Sequence, residues 1–160
     1  MMKFLLVLAT LVCIDLPFFA GKTSAKDCAC TPSAHLEPLN LGVKTYAANQ
    51  VIRDWSLKAP HTHLAGGMNY SNGRLTVPTS GRYYIYTQIY FRASAQRIYV
   101  MVNSGAVTMV QPMVQKEGSM FAAGVFKLNA GDVVMLKVAS GHSATVFMWM
   151  YHCYFGTYLI

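Results

Sequence analysis

The chain has 160 residues and a formal net charge of +7, and it is 54% hydrophobic but only 12% charged. That length holds one domain with a substantial core, and a charge content about half that of ordinary soluble domains points to surface covered in an assembly. The cations Lys44, Arg53, Lys58, Arg74, Arg82, Arg92, Arg97, Lys116, Lys127 and Lys137 form no run, which excludes a basic nucleic-acid-reading stripe and leaves a solvated basic surface or attraction to an acidic receptor or sulfated glycan.

Residues 1–25 read as a signal peptide. Met1-Met2-Lys3 is a short positive region, Phe4 to Ile14 is apolar, Asp15 and Pro17 end the run, and Thr23-Ser24-Ala25 offers small residues for cleavage after Ala25. The rival is an uncleaved type II anchor, the one case in which the chain would touch a membrane. Phe4–Gly21 is barely long enough to span and contains Asp15, and Lys3 on one side faces Lys22 and Lys26 on the other, so a secreted, extracellular protein is the preferred reading. Residues 26–33 form a short lead in which Cys28 and Cys30 either cross-link neighbouring protomers or are incidental thiols on a flexible end. Cys153 lies in an aromatic stretch and reads as a buried free thiol. No cysteine pair has a zinc-site spacing.

Residues 34–160 read as strands from end to end. Leu39 to Gln50 reads as a loop, Val51–Trp55 as a short strand, and Lys58–Leu64 as a second loop. Asn72-Gly73 marks a hairpin turn, because both residues tolerate positive φ. It leads from Gly67–Tyr70 into Arg74–Val77. The long run Tyr83–Phe91 follows, with Tyr83, Ile85, Thr87, Ile89 and Phe91 on one face and Tyr84, Tyr86, Gln88 and Tyr90 on the other. Both faces are largely apolar, so both are expected to be covered. Further strands are expected at Arg97–Val102, Val107–Val114, Met120–Leu128, Val133–Val138 and Thr145–Ile160, with Pro112 marking an edge or a bulge. Short strands at this spacing indicate an all-β sandwich or barrel.

Motifs for chemistry are sparse. His61-Thr62-His63 could hold a metal weakly, but no third ligand is identifiable, so the segment reads as a polar loop without a metal. Asn69-Tyr70-Ser71 is a glycosylation sequon beside an exposed turn. The six acidic residues offer no catalytic pair and no nucleophile elbow is present, so neither an enzyme nor a cofactor is expected. The ten methionines read as packing residues.

Several stretches, in order, resemble the receptor-binding domain of the tumour necrosis factor (TNF) superfamily. They are Ala34-His35-Leu36, Trp55, Gly67-Met68-Asn69-Tyr70, Asn72-Gly73-Arg74-Leu75-Thr76-Val77-Pro78, the run Gly81–Phe91, Gly124-Val125-Phe126-Lys127-Leu128, Gly131-Asp132 and the terminal Tyr154–Ile160. The resemblance implies a jelly-roll β-sandwich assembled as a homotrimer, a TNF-like cytokine that clusters cysteine-rich receptors of the TNF receptor type along clefts between protomers, with signalling that rests on multivalency rather than chemistry. Carried over residue by residue, it places Tyr86, Phe121 and Tyr154 at the threefold interface. Strand alternation adds Tyr84 and Gln88 beside Tyr86, and Tyr158 and Ile160 beside Tyr154. Ile85, Ile89, Phe91, Phe126, Leu128, Leu136, Val138, Trp149 and Phe155 would fill the interior, leaving Met148, Met150 and His152 on the opposite face. Receptor contacts fall on Lys58 and on the loop at Asn103, although that loop lacks the large apolar residue many members carry, and the disulfide and axial metal cysteine of some members are absent.

Two other readings stay open. One is a trimeric complement-type globular head that binds glycans or pathogen surfaces, although no collagen-like repeat is present. The other is a structural trimer without a signalling receptor.

Overall fold

The computed structural model describes residues 30–92, 96–113 and 117–160. The expected signal segment and Cys28 lie outside the described residues. Within them the chain forms twelve strands: β1 (Ser33–Leu36), β2 (Gly42–Tyr46), β3 (His63–Ala65), β4 (Asn69–Ser71), β5 (Arg74–Thr76), β6 (Gly81–Phe91), β7 (Ile98–Val102), β8 (Gly105–Val110), β9 (Gly118–Leu128), β10 (Val133–Val138), β11 (Ala144–Met148) and β12 (Tyr154–Leu159). No helix among the described residues is long and apolar enough to cross a membrane.

The strands make two antiparallel sheets. One contains five strands in the order β4-β5-β10-β7-β8. The other is built around β6, which pairs along its whole length with β9. The opposite edge of β6 pairs first with β12 over Tyr83–Gln88 and then with β11 at Phe91. From there β12 leads to β1 and β3, and β11 to β2, completing a seven-stranded sheet. This is the sandwich expected from the sequence.

Period-two alternation on β6 explains the layering. Tyr83, Ile85, Thr87, Ile89 and Phe91 have no exposed surface, whereas Tyr84, Tyr86, Gln88 and Tyr90 are half-buried. The first set meets Leu36, Leu75, Ile98, Val100, Leu128, Val134, Leu136, Val138 and Phe155 between the sheets, where burial of each large side chain contributes about 1.5–3 kcal/mol. The threonine hydroxyls taken inside are paired. Thr87 Oγ1 donates to the Tyr154 carbonyl at 3.0 Å and Thr157 Oγ1 to the Tyr84 carbonyl at 3.0 Å, stapling β6 to β12. Trp55 Nε1 donates to the Ile52 carbonyl at 3.1 Å while its ring packs on Phe155. Tyr46 donates to Asp54 at 2.7 Å, and burial pushes its phenol far above the ordinary range. Cys153 is a fully buried free thiol, as expected, with its pKa pushed up to about 11 by burial.

Several boundaries differ from the sequence expectation. Part of the expected loop 39–50 is strand β2, recruited by pairing with β11 rather than by its own alternation. Val51–Trp55 is not a strand; it docks through one bridge, Val51 to Lys137. β8 ends at Val110, so Pro112 lies beyond it. The hairpin at Asn72-Gly73 is present, with φ of 51° and 80°. The largest departure is at 145–160, where β11 and β12 are separated by a turn at 149–153 holding Tyr151 at φ 71°. That turn shifts the alternation by one residue. Met148 is therefore fully buried, and Trp149, expected inside, is 36% exposed and stacked on Phe147.

Candidate functional site

The strand register of the seven-stranded sheet assembles one outward-facing surface. Directly opposed residues share a face. Across the sheet, Ala123, Tyr86, Gly156, His35 and His63 form a central row. Val125, Tyr84, Tyr158, Ser33 and Ala65 form the row on one side, and Phe121, Gln88 and Tyr154 the row on the other. Six of the seven residues the sequence singles out for contact between protomers (Tyr84, Tyr86, Gln88, Phe121, Tyr154 and Tyr158) thus lie in adjoining rows. Ile160, just beyond the end of β12, is exposed.

Small and large residues interlock in the central row. The Tyr86 ring lies across Gly156 and its hydroxyl meets His35 Nδ1 at 2.9 Å. A Cβ at position 156 would strike both the Tyr86 ring and the Ala34 carbonyl, so only glycine leaves room for the tyrosine to lie flat. Tyr84 packs on Tyr158 with ring centroids 5.4 Å apart and on Tyr86 at 6.0 Å, and Tyr86 meets Tyr154 at 6.1 Å. Each such pair adds roughly 0.5–1.5 kcal/mol beyond area burial. Tyr154 donates to Gln88 Oε1 at 3.2 Å, and Gln88 Nε2 donates to the carbonyls of Tyr151 and His152 at 3.2 and 3.4 Å.

The face is electrically quiet at its centre. Burial first, and then the neighbouring tyrosines, push the Tyr86 phenol up to about 12, and burial also raises Tyr154. Both stay protonated in any physiological medium. Burial holds the His35 imidazole below its ordinary range, opposed by the Glu37 carboxylate. Around this centre, large apolar groups stand open: Phe121 is 57% exposed, Val125 51%, Tyr158 42% and Ile160 59%. Exposed apolar patches of this kind are characteristic of sites that contact protein, membrane or ligand.

A second aromatic group lies at the far end of the same sheet. Phe147 stacks on Trp149 at 5.5 Å and meets Tyr90 and His152 edge-on, with the exposed Val43 paired beside it. The exposed Tyr151 packs against His61 in a tilted arrangement, with ring centroids 5.9 Å apart. Tyr90 and His152 are expected on this outer face from the sequence; Trp149 and Tyr151 join it because of the shifted alternation after Met148.

The residues suggested for receptor contact are placed separately. Lys58 is exposed in a turn held by its backbone N–H, which donates to Ser56 Oγ at 3.0 Å. Asn103 sits at φ 53° in the β7–β8 turn, where its Nδ2 donates to Asp132 at 2.9 Å and its Oδ1 accepts from the Val133 N–H at 2.9 Å. Its side chain thus holds its own turn. Asn69 is exposed on β4 in the other sheet. Cys30 is exposed. His61 and His63 do not converge on a third ligand; among the described residues no group of His, Cys, Asp or Glu side chains forms a metal site.

Comparison with known proteins places this architecture. The profile of the TNF (Tumour Necrosis Factor) family matches residues 53–160. Tumor necrosis factor of Rattus norvegicus is 24% identical over 141 residues, an alignment covering 73% of this chain and 57% of that protein. Among solved structures, Eiger TNF from S. frugiperda superposes with a TM-score of 0.66 at 17% identity, covering 82% of this chain and 93% of that one. Murine APRIL superposes at 0.61 with 18% identity, covering 81% and 99%, and rabbit GITRL at 0.53 with 18% identity, covering 81% and 93%.

Proposed function

The chain belongs to the TNF (Tumour Necrosis Factor) family and has a TNF-like jelly roll, and from that premise we propose that it is a cytokine ligand whose working form is a homotrimer. The observation that carries this reading is the tyrosine-rich outer face of the seven-stranded sheet. A sheet that is apolar on both sides is stable in water when both sides are covered, and three copies packed through Tyr84, Tyr86, Gln88, Phe121, Tyr154, Tyr158 and Ile160 cover it.

Three protomers around an axis create three equivalent clefts. Receptors of the cysteine-rich TNF receptor type would bind along them, with Lys58 and the turn at Asn103 as contributors and the exposed aromatics of the β11–β12 turn as apolar anchors. Clustering three receptor chains raises the local concentration of their intracellular tails, so the ligand supplies geometry and no catalysis. Residues 1–25 would direct secretion, or would serve as a type II anchor if uncleaved, and residues 34–160 would be the receptor-binding domain. Cys28 and Cys30 would be positioned to cross-link neighbouring copies in the lead.

Light scattering on the secreted protein over a dilution series tests the assembly. A stable mass of three chains supports it, and a single-chain mass removes the intersubunit clefts. Binding to a panel of TNF-receptor-type ectodomains then tests the ligand reading. Trimers that bind none of the panel would favour a structural role instead.

A further inference from the structure

At the edge of the aromatic face sits a group of ionisable side chains that the assembly itself does not require. His35 projects from β1 with a side chain only 19% exposed. Its Nδ1 meets the Tyr86 hydroxyl from β6 at 2.9 Å, and its Nε2 faces Glu37 Oε1, just beyond the end of β1, at 3.6 Å. The His63 ring from β3 stacks on it with centroids 6.3 Å apart, and the Tyr154 ring from β12 lies 5.3 Å away. His61, in the loop before β3, is close enough to act on it through its charge. Glu37 is 4% exposed and its Oε2 has no hydrogen-bond partner.

This arrangement suits a neutral His35. With its proton on Nε2, toward Glu37, the ring leaves Nδ1 free to accept from the Tyr86 hydroxyl. A second proton turns Nδ1 into a donor. The contact then reverses, with Nδ1–H donating to the Tyr86 oxygen, and the phenol proton must find another acceptor on a face that burial has dried. The Glu37 carboxylate attracts an imidazolium, but at 3.6 Å it is beyond hydrogen-bond reach. Burial outweighs that attraction and holds His35 below the ordinary imidazole range, and charge on His63 or His61 acts in the same direction. Covering the face removes more water from the ring and strengthens the preference for the neutral form.

We propose that the His35–His63–Glu37 cluster makes assembly of this chain acid-sensitive: three copies stay together while His35 is neutral and separate as the surroundings acidify. The inference rests on the homotrimer reading of the same face. The sign follows from proton counting. A histidine whose pKa is depressed in the assembly binds fewer protons there than in the free protomer. Assembly is therefore weakened as pH falls through the His35 pKa of the free protomer, which burial already holds below the ordinary imidazole value of about 6.5. With three such rings per trimer, the association constant falls by up to about a thousandfold per pH unit.

The test is light scattering of protein secreted from cells expressing the full chain, at about pH 7.5 and about pH 5.5 and constant ionic strength. The expected result is three chains at the higher pH and one at the lower, reversibly. A single-chain mass already at the higher pH refutes the trimer reading, whereas a trimer persisting at the lower pH refutes only the switch. His35→Asn keeps an acceptor near the Nδ1 position and does not titrate in this range, so its trimer should persist in acid. His142→Asn, in the exposed β10–β11 loop, should leave the wild-type response unchanged. If His35→Asn separates along the wild-type pH profile, the assignment to this cluster is wrong. Should that variant fail to fold, NMR titration of the wild-type imidazoles decides: a His35 pKa in the trimer below that of the acid-separated protomer supports the proposal, and an equal or higher one overturns it.

Discussion

The two sheets of this sandwich present different outer faces. On the five-stranded sheet, the register lines up Asn69, Thr76 and Val133, then Met135 and Met101, then Lys137, Tyr99 and Met109, with Arg74 exposed on β5. Apolar atoms there alternate with amide, hydroxyl and ammonium groups, as on an ordinary wet sheet. On the seven-stranded sheet, the rows across β6, β9 and β12 hold tyrosine, phenylalanine, valine, alanine and glycine with Gln88 as the polar exception, and Arg82 and Lys127 are paired at the end of the β6–β9 pair. The same period-two rule operates on both sheets. What differs is that the outward positions of β6, β9 and β12 are chosen as interior positions are, which is the pattern of a sheet covered on both sides.

The largest expected effect comes from placing charge at the centre of the aromatic face. Tyr86→Arg should abolish assembly, leaving a single-chain mass by light scattering, because three guanidinium groups would be buried together without counter-charges. An unchanged trimer would refute the interface. A matched pair tests the comparison itself. Phe121 and Met109 are similarly exposed, at 57% and 44%, on opposite sheets. Phe121→Lys should weaken association at least about tenfold, as loss of an interface anchor does. Met109→Lys should change neither assembly nor stability by more than about 0.5 kcal/mol. Equal effects from the two would erase the distinction between the faces. A smaller effect is expected within the protomer. Gly156→Ala should lower folding stability by about 1–3 kcal/mol, read from the denaturant midpoint, because the new methyl group collides with Tyr86 and the Ala34 carbonyl.

Much of this difference is legible in the sequence. The double apolar face of Tyr83–Phe91 is visible without a structure, since alternation needs only the residue order, and the same holds for the turn at Asn72-Gly73. What fails is anything that depends on phase carried across an irregular segment. Tyr151 at φ 71° inserts a turn where an unbroken strand is expected, and one residue of slip moves Met148 inside and Trp149 outside. β2 is equally hidden, because Gly42–Tyr46 becomes a strand by pairing with a segment roughly a hundred positions away rather than by its own pattern. The His35–Glu37–His63 cluster is invisible for the same reason: its members meet through the β1–β3 register and through packing on Tyr86. Gly156 stands among the residues that suggest the family, but its role as the space for a tyrosine ring needs coordinates.

The gentlest test of the comparison is a modification. Asn69-Tyr70-Ser71 forms β4, the edge strand of the five-stranded sheet. Tyr70 turns inward, donating to the Arg53 carbonyl at 3.1 Å and accepting from the Gly73 N–H at 3.2 Å, so its neighbours Asn69 and Ser71 point out and are exposed. A chain that passes through the secretory route should therefore carry a glycan at Asn69, seen as a mobility shift removed by peptide N-glycosidase and absent in Asn69→Gln. A bulky solvated sugar is compatible only with a face that stays wet, and on an edge strand it would also block pairing with another sheet. Glycosylated and Asn69→Gln protein should consequently assemble alike apart from the mass of the sugar. If the glycan shifts the association constant, the five-stranded sheet also takes part in contact between copies, and the division of the molecule into a covered and a wet face has to be redrawn.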